Sequence, residues 1–271
     1  MKNIFFLLLL LFIVTSCEDV VDIPLNTASP KLVIDANIKW NKGTSGANQT
    51  IKLSLTSDFY SNIIPPANSA VVFVTNSANT VFNFTEVGAT GEYKSANFVP
   101  VLNENYTLTV NYKGQTYTST DKLLPTPAII NVQQQVLPSF TGTRIEVKFF
   151  FQDAAGVDNF YLVNFKNSTE LLPRFAPLRD ELFQGNLMVG VFSNEDLKAT
   201  DNLFMSVQGI SSRYYTYFQK LNELSGTAGG APFSTPPATI RGNIINQTNT
   251  NDFPLGYFAV TEIDSRTYVV Q

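Results

Sequence analysis

The side chains able to do chemistry are few. The 271 residues hold one cysteine, Cys17, and no histidine at all. Without imidazole, no side chain has an ordinary pKa near neutrality, so Ser-His-Asp and Cys-His nucleophile systems and every His-containing zinc or iron site are excluded. What remains for acid–base work is carboxylate, lysine and tyrosine. Two acidic pairs, Asp180-Glu181 and Glu195-Asp196, invite comparison with the two carboxylates of a glycosidase. Adjacent residues on a strand point to opposite faces, however, so neither pair in sequence is a catalytic pair in space. The run Asp153-Ala154-Ala155-Gly156-Val157-Asp158-Asn159 offers oxygen ligands for calcium but lacks the full set of a calcium loop. It reads as a turn in which Asp and Asn bond their own backbone. The expectation is therefore a non-catalytic protein with no cofactor and no metal.

Cys17 points to a location instead. Lys2 precedes an unbroken apolar run from Ile4 to Val14 that is too short to span a bilayer and ends in small residues, which is the pattern of a secretory signal at 1–16. Val14-Thr15-Ser16-Cys17 resembles the bacterial lipobox, in which cleavage before the cysteine leaves its thiol carrying diacylglycerol. Lipidation is the expected role of Cys17, because an exported chain would otherwise carry one unpaired reactive thiol. Two or three acyl chains, palmitate among them, anchor stably where one holds only reversibly. Glu18-Asp19 after the cysteine looks like the export tag of surface lipoproteins from Bacteroidota-type bacteria. The expected location is the outer membrane, lipid-anchored and facing outward.

Removing residues 1–16 takes away Lys2 and leaves seventeen basic against twenty-two acidic side chains, a net charge of −5. Mild acidity without a basic block argues against nucleic acid or anionic lipid as a partner. Residues 17–30, with Pro24 and Pro30, read as the lipidated cysteine and a tether. Regular structure is expected from Lys31: Leu32, Ile34, Ala36 and Ile38 alternate with Val33, Asp35 and Asn37, the period of a half-buried strand. Ile51 to Leu55, Ala70 to Thr75, Thr80 to Thr85, Tyr106 to Tyr112 and Gln115 to Thr120 follow the same rule, with Asn, Gly and Pro between them. Such strands must bury one face against another sheet, so residues 31–124 are expected to form an immunoglobulin-like β-sandwich.

Pro125 and Pro127 mark a linker at 125–128, after which 129–271 is expected to form a second antiparallel β domain. Its strands are placed at Ile129 to Val136, Thr143 to Phe151, Asn159 to Lys166, Leu187 to Phe192, Leu203 to Gly209, Thr239 to Ile245, Tyr257 to Glu262 and Thr267 to Val270. One helix is expected over 212–224, where Tyr214, Phe218, Leu221 and Leu224 recur at three and four positions, Ser211 or Ser212 can cap the start and Gly226 can stop it. The cluster Tyr214, Tyr215, Tyr217 and Phe218 could stack a ligand, although its spacing favours packing against the sheet. Ser225 to Pro237 is expected to be an exposed loop. Trp40, the only tryptophan, stands beside the Gly- and Asn-rich loop 41–49. It is a candidate sugar-stacking residue, although a tryptophan at a strand end more often caps a core.

Two resemblances add to this reading. Ala70-Val71-Val72-Phe73-Val74, Gly91-Glu92-Tyr93 and Tyr106-Thr107-Leu108-Thr109-Val110 with Gly114 look like carboxypeptidase-regulatory-like and immunoglobulin-like modules. Asp180 to Phe183 with Gly185, Tyr214 to Phe218 with Leu221, Gly230-Ala231-Pro232-Phe233 with Pro236-Pro237, Gly242-Asn243-Ile244 and Gly256-Tyr257-Phe258 resemble the domain of unknown function 4249 family. Its lipobox and Leu-Val-Ile-like first strand match Leu32-Val33-Ile34. Asp153 to Arg179 is short beside it, which implies that a longer ligand loop of some relatives is missing. The family's frequent place beside TonB-dependent outer-membrane transporters implies a receptor partner and an unidentified nutrient ligand to capture or present. The alternative is a structural or adhesive envelope lipoprotein with no small-molecule pocket.

Overall fold

The computed structural model describes residues 29–58, 61–140, 142–224 and 239–271. Cys17, the tether up to Ala28, Gly226 and the expected loop from Ser225 to Pro237 lie outside the described residues. The first seven strands are β1 (Leu32–Asn41), β2 (Gln49–Leu55), β3 (Val71–Asn76), β4 (Val81–Glu86), β5 (Glu92–Ser95), β6 (Asn105–Tyr112) and β7 (Gln115–Lys122). They are followed by β8 (Ile129–Ser139), β9 (Gly142–Gln152), β10 (Phe160–Asn167), β11 (Arg174–Arg179), β12 (Leu187–Asn194), β13 (Asn202–Ile210), helix α1 (Ser212–Leu224), β14 (Ile245–Asn246) and β15 (Leu255–Val269). The fold is mainly β, with two sandwich modules and a single helix among the described residues.

The first module is one sheet that curls over its own apolar face, in the order β15-β1-β2-β5-β4-β3-β6-β7-β14. Alternation makes this possible. Leu32, Ile34, Ala36 and Ile38 of β1 and Tyr106, Leu108, Val110 and Tyr112 of β6 all point into one core while their neighbours lie on the opposite, less buried face. Tyr106 closes one end of that core: its hydroxyl donates to the Val99 carbonyl at 2.8 Å and accepts from Val101 N–H at 2.8 Å.

The curl brings β7 round to β15, and the stretch from Gly242 to Asn246 fills the seam. Asn243 makes this stitch. Its side-chain amide donates to the Phe258 carbonyl at 2.7 Å and accepts from Phe258 N–H at 2.9 Å, while its own carbonyl accepts from Ser119 Oγ at 3.0 Å. Ile245 and Asn246 then pair with Thr118 and Tyr117 of β7. Close approach explains two glycines here. A Cβ on Gly242 would fall 1.7 Å from the Gly256 carbonyl oxygen, and one on Gly256, whose φ is +96°, would fall 2.1 Å from the Ile34 carbonyl oxygen.

The last strand departs from the sequence-based division. Tyr257 to Glu262 and Thr267 to Val270 were expected as two strands of the second domain; they are one strand of 15 residues that serves both modules. Its first half pairs parallel with β1, from Val33↔Leu255 to Asn41↔Ile263, and its second half pairs antiparallel with β13. Eight consecutive buried residues, Tyr257 to Asp264, mark a strand covered on both faces, which is why an alternation reading under-measured it. Of the strand expected over Thr239 to Ile245, only Ile245–Asn246 forms as β14. Short β5 and the edge strand β11, which carries Pro177, carry too few alternating residues to stand out in the sequence.

In the second module, β11-β10-β13 and the end of β15 face the three-stranded sheet β12-β9-β8 across a core of Phe149, Phe151, Tyr161, Val163, Phe165 and their neighbours. The linker is fastened to β15. Glu262 accepts from Thr126 N–H at 2.8 Å and pairs with Lys42 at 2.9 Å, and Asp264 accepts from Ile129 N–H at 2.7 Å.

Candidate functional site

Helix α1 lies over the place where the modules meet. Ser211 Oγ accepts from Tyr214 N–H at 3.3 Å, the expected cap. Tyr214 is buried among Leu162, Ile210, Tyr257 and Ala259, and Tyr215, Tyr217 and Phe218 pack half-buried against the same group. Tyr214 stacks on Tyr257 with ring centroids 4.5 Å apart, and its hydroxyl donates to Asn37 Oδ1 at 2.5 Å.

Positions 213, 217 and 220 share the next face of the helix, because residues four and three apart are neighbours on it. Arg213, Thr216, Tyr217 and Lys220 form one wall of a cleft of about 430 Å³; Arg241, Gly242, Asn243, Ile245 and Tyr257 form the other. Among the described residues three cations and no carboxylate line it, in a chain of net charge −4. None of the three makes an ion pair among the described residues. The Arg241 guanidinium lies 3.7 Å from the centroid of the Phe253 ring, which holds it without neutralising it.

The groups behind the cleft sharpen its electrostatics. Burial raises the Tyr214, Tyr217 and Tyr257 hydroxyls above the usual phenol range; Asp35 adds to the effect at Tyr214 and Tyr217, and Asp121 at Tyr257. These phenols stay protonated. Asp121, at the end of β7, has its carboxyl pushed up to about 6 by burial, although Val260 N–H donates to it at 3.1 Å and Arg213 opposes the rise.

The other candidates from the sequence fall elsewhere. Trp40 packs against the first core, its indole N–H donating to the Thr44 carbonyl at 2.8 Å, and it is not part of the cleft wall. Asn159 bonds the Ala154 and Val157 carbonyls of its own run, whereas Asp153 accepts from the Tyr161 hydroxyl at 2.6 Å and Gly185 N–H at 2.9 Å and Asp158 accepts from Gln184 at 3.0 Å, so only the asparagine bonds the turn's own backbone. Asp180 is buried and accepts from Asn159 N–H at 2.9 Å, whereas Glu181 is exposed beside Arg179; the pair follows the end of β11 in a turn rather than lying on a strand. Among the described residues no group of three metal-ligating side chains forms. Arg213, Lys220 and Arg241 were missed in the sequence. The first two carried a signal, a basic pair at i and i+7 beside the apolar stripe, but nothing local placed Arg241 opposite them.

The glycine-tight seam and the helix with its tyrosine cluster fall within the span of a known family: Domain of unknown function (DUF4249) matches residues 18–267. The chain belongs to the DUF4249 family. No curated protein matches it. Among solved structures, this DUF4249 chain is similar to a two fibronectin type-III domain segment from chicken tenascin at 8% identity and TM-score 0.23, covering 68% of this chain and 93% of that one. Another is the FN1–FN3 segment of chicken CNTN1 at 14% identity and TM-score 0.24, covering 68% of this chain and 63% of that one. A chain from a cytokine receptor complex matches at 10% identity and TM-score 0.24, covering 68% of this chain and 87% of that one.

Proposed function

We propose that this DUF4249 protein is a non-catalytic, lipid-anchored lipoprotein of the outer-membrane surface that captures a nutrient ligand and presents it to a TonB-dependent receptor. The observation that carries the binding part is the cleft between α1 and the Gly242–Ile245 seam. It is concave, it is held by two rigid elements, and its charge opposes that of the rest of the chain. The anchoring part rests on Val14-Thr15-Ser16-Cys17, and the non-catalytic part on the absence of histidine. The receptor partner rests on the neighbourhood typical of the family.

Affinity capture of the tagged full-length protein from gently solubilised outer membranes tests the partner. A β-barrel receptor should co-purify in near-stoichiometric amount, and recovery of the lipoprotein by itself would overturn that part. The alternative, a structural or adhesive spacer, predicts that the triple substitution Arg213→Gln, Lys220→Gln, Arg241→Gln leaves growth on every nutrient source unchanged. The capture reading predicts a defect on at least one.

A further inference from the structure

We propose that the cleft takes an acidic oligosaccharide, a run of sugars bearing carboxylates or sulfates; this names the ligand class for the binding reading above and rests on it. Charge comes first. With Arg213, Lys220 and Arg241 unpaired among the described residues and no carboxylate on the walls, the cleft concentrates positive potential in an acidic chain.

Spacing decides the kind of anion. Arg213 and Lys220 lie two helical turns apart, about 10 Å at 1.5 Å per residue, with Arg241 on the opposite wall. A single small anion cannot meet both ends, whereas a ligand with an anionic group on successive units can. Between the cations lie the half-buried Tyr217 ring, its protonated hydroxyl and the Thr216 hydroxyl, which suit a hydroxyl-rich ring.

An extended acidic peptide fits less well, because one wall is a helix whose backbone groups are already paired and offers no strand edge for β-addition. A nucleic acid would need a far larger basic footprint than three side chains, on a protein whose net charge is −4.

The test is calorimetric titration of the detergent-solubilised full mature protein with oligogalacturonate, oligoalginate and sulfated chondroitin oligomers. Each is matched with its methyl-esterified or desulfated form, and oligoglutamate serves as the peptide probe. At least one acidic oligosaccharide should bind at least tenfold tighter than its neutralised form and than oligoglutamate. Arg213→Gln with Lys220→Gln should weaken it at least tenfold; both side chains are exposed, so these variants should keep the wild-type melting temperature. Arg241→Gln provides an independent check from the other wall.

Equal affinity for the neutralised form would overturn the anionic class while leaving a ligand-binding cleft standing. Preference for oligoglutamate would overturn the saccharide. Binding of no acidic oligosaccharide, or wild-type affinity in the variants, would overturn the inference outright.

Discussion

Asn243 and Asp121 show how single side chains hold the site. The Asn243 amide presents one donor and one acceptor to the Phe258 backbone, as a neighbouring strand would, and it is buried. Replacing it with alanine strands both Phe258 groups, so Asn243→Ala should cost about 2–4 kcal/mol in urea denaturation; a change under 1 kcal/mol would refute the stitch. Asp121 works in the opposite sense. Folding raises its carboxyl from 3.8 to about 6, so its favourable contribution is complete below the lower value and lost as pH climbs through the upper one. Asp121→Asn should therefore match the wild type near pH 4 and exceed it by up to about 2–3 kcal/mol near pH 7. An equal difference at both pH values would show that burial is not the cause. The sequence displayed the tyrosine stripe of the helix plainly, because periodicity is local. Asn243 and Arg241 were illegible for the opposite reason: their partners lie on strands that only the finished sheet brings near.

Among the elements, strands whose residues alternate were readable from their side chains alone. Leu32 to Ile38 and Tyr106 to Tyr112 bury the residues their spacing assigns. Strand β15 was not, since eight buried residues in a row carry no period and its two halves answer to different neighbours. The prolines at 125 and 127 read as a joint, yet the segment is pinned. A Cβ on Gly209 would sit 2.2 Å from the Pro125 carbonyl oxygen, and Glu262 gathers Thr126 N–H and Lys42. Glu262→Ala leaves a buried N–H and a lysine without their acceptor. It should lower stability by about 2–4 kcal/mol, and calorimetry should then show the modules melting apart where the wild type melts as one. A single unsplit transition in the variant would mean that the pin is dispensable.

For the whole molecule, placement depends on the residue that precedes everything described above. Cys17→Ser should release the protein from the membrane fraction into the soluble one, and mass spectrometry of the native protein should find a diacylated first residue at position 17. An unmodified thiol with residues 1–16 still attached would end the anchored reading. The strand shared by the modules has a further effect on a chain that is synthesised amino end first. Strand β1 emerges well before the partner that covers its open edge, Leu255 to Ile263, which follows it far along the chain. Until then the barrel-like seam stays unsealed and the early segment lacks a finished core. Late closure of this kind would keep the polypeptide threadable through a translocation pore, as the proposed export requires, and it makes β15 the clasp on which completion of the first core waits.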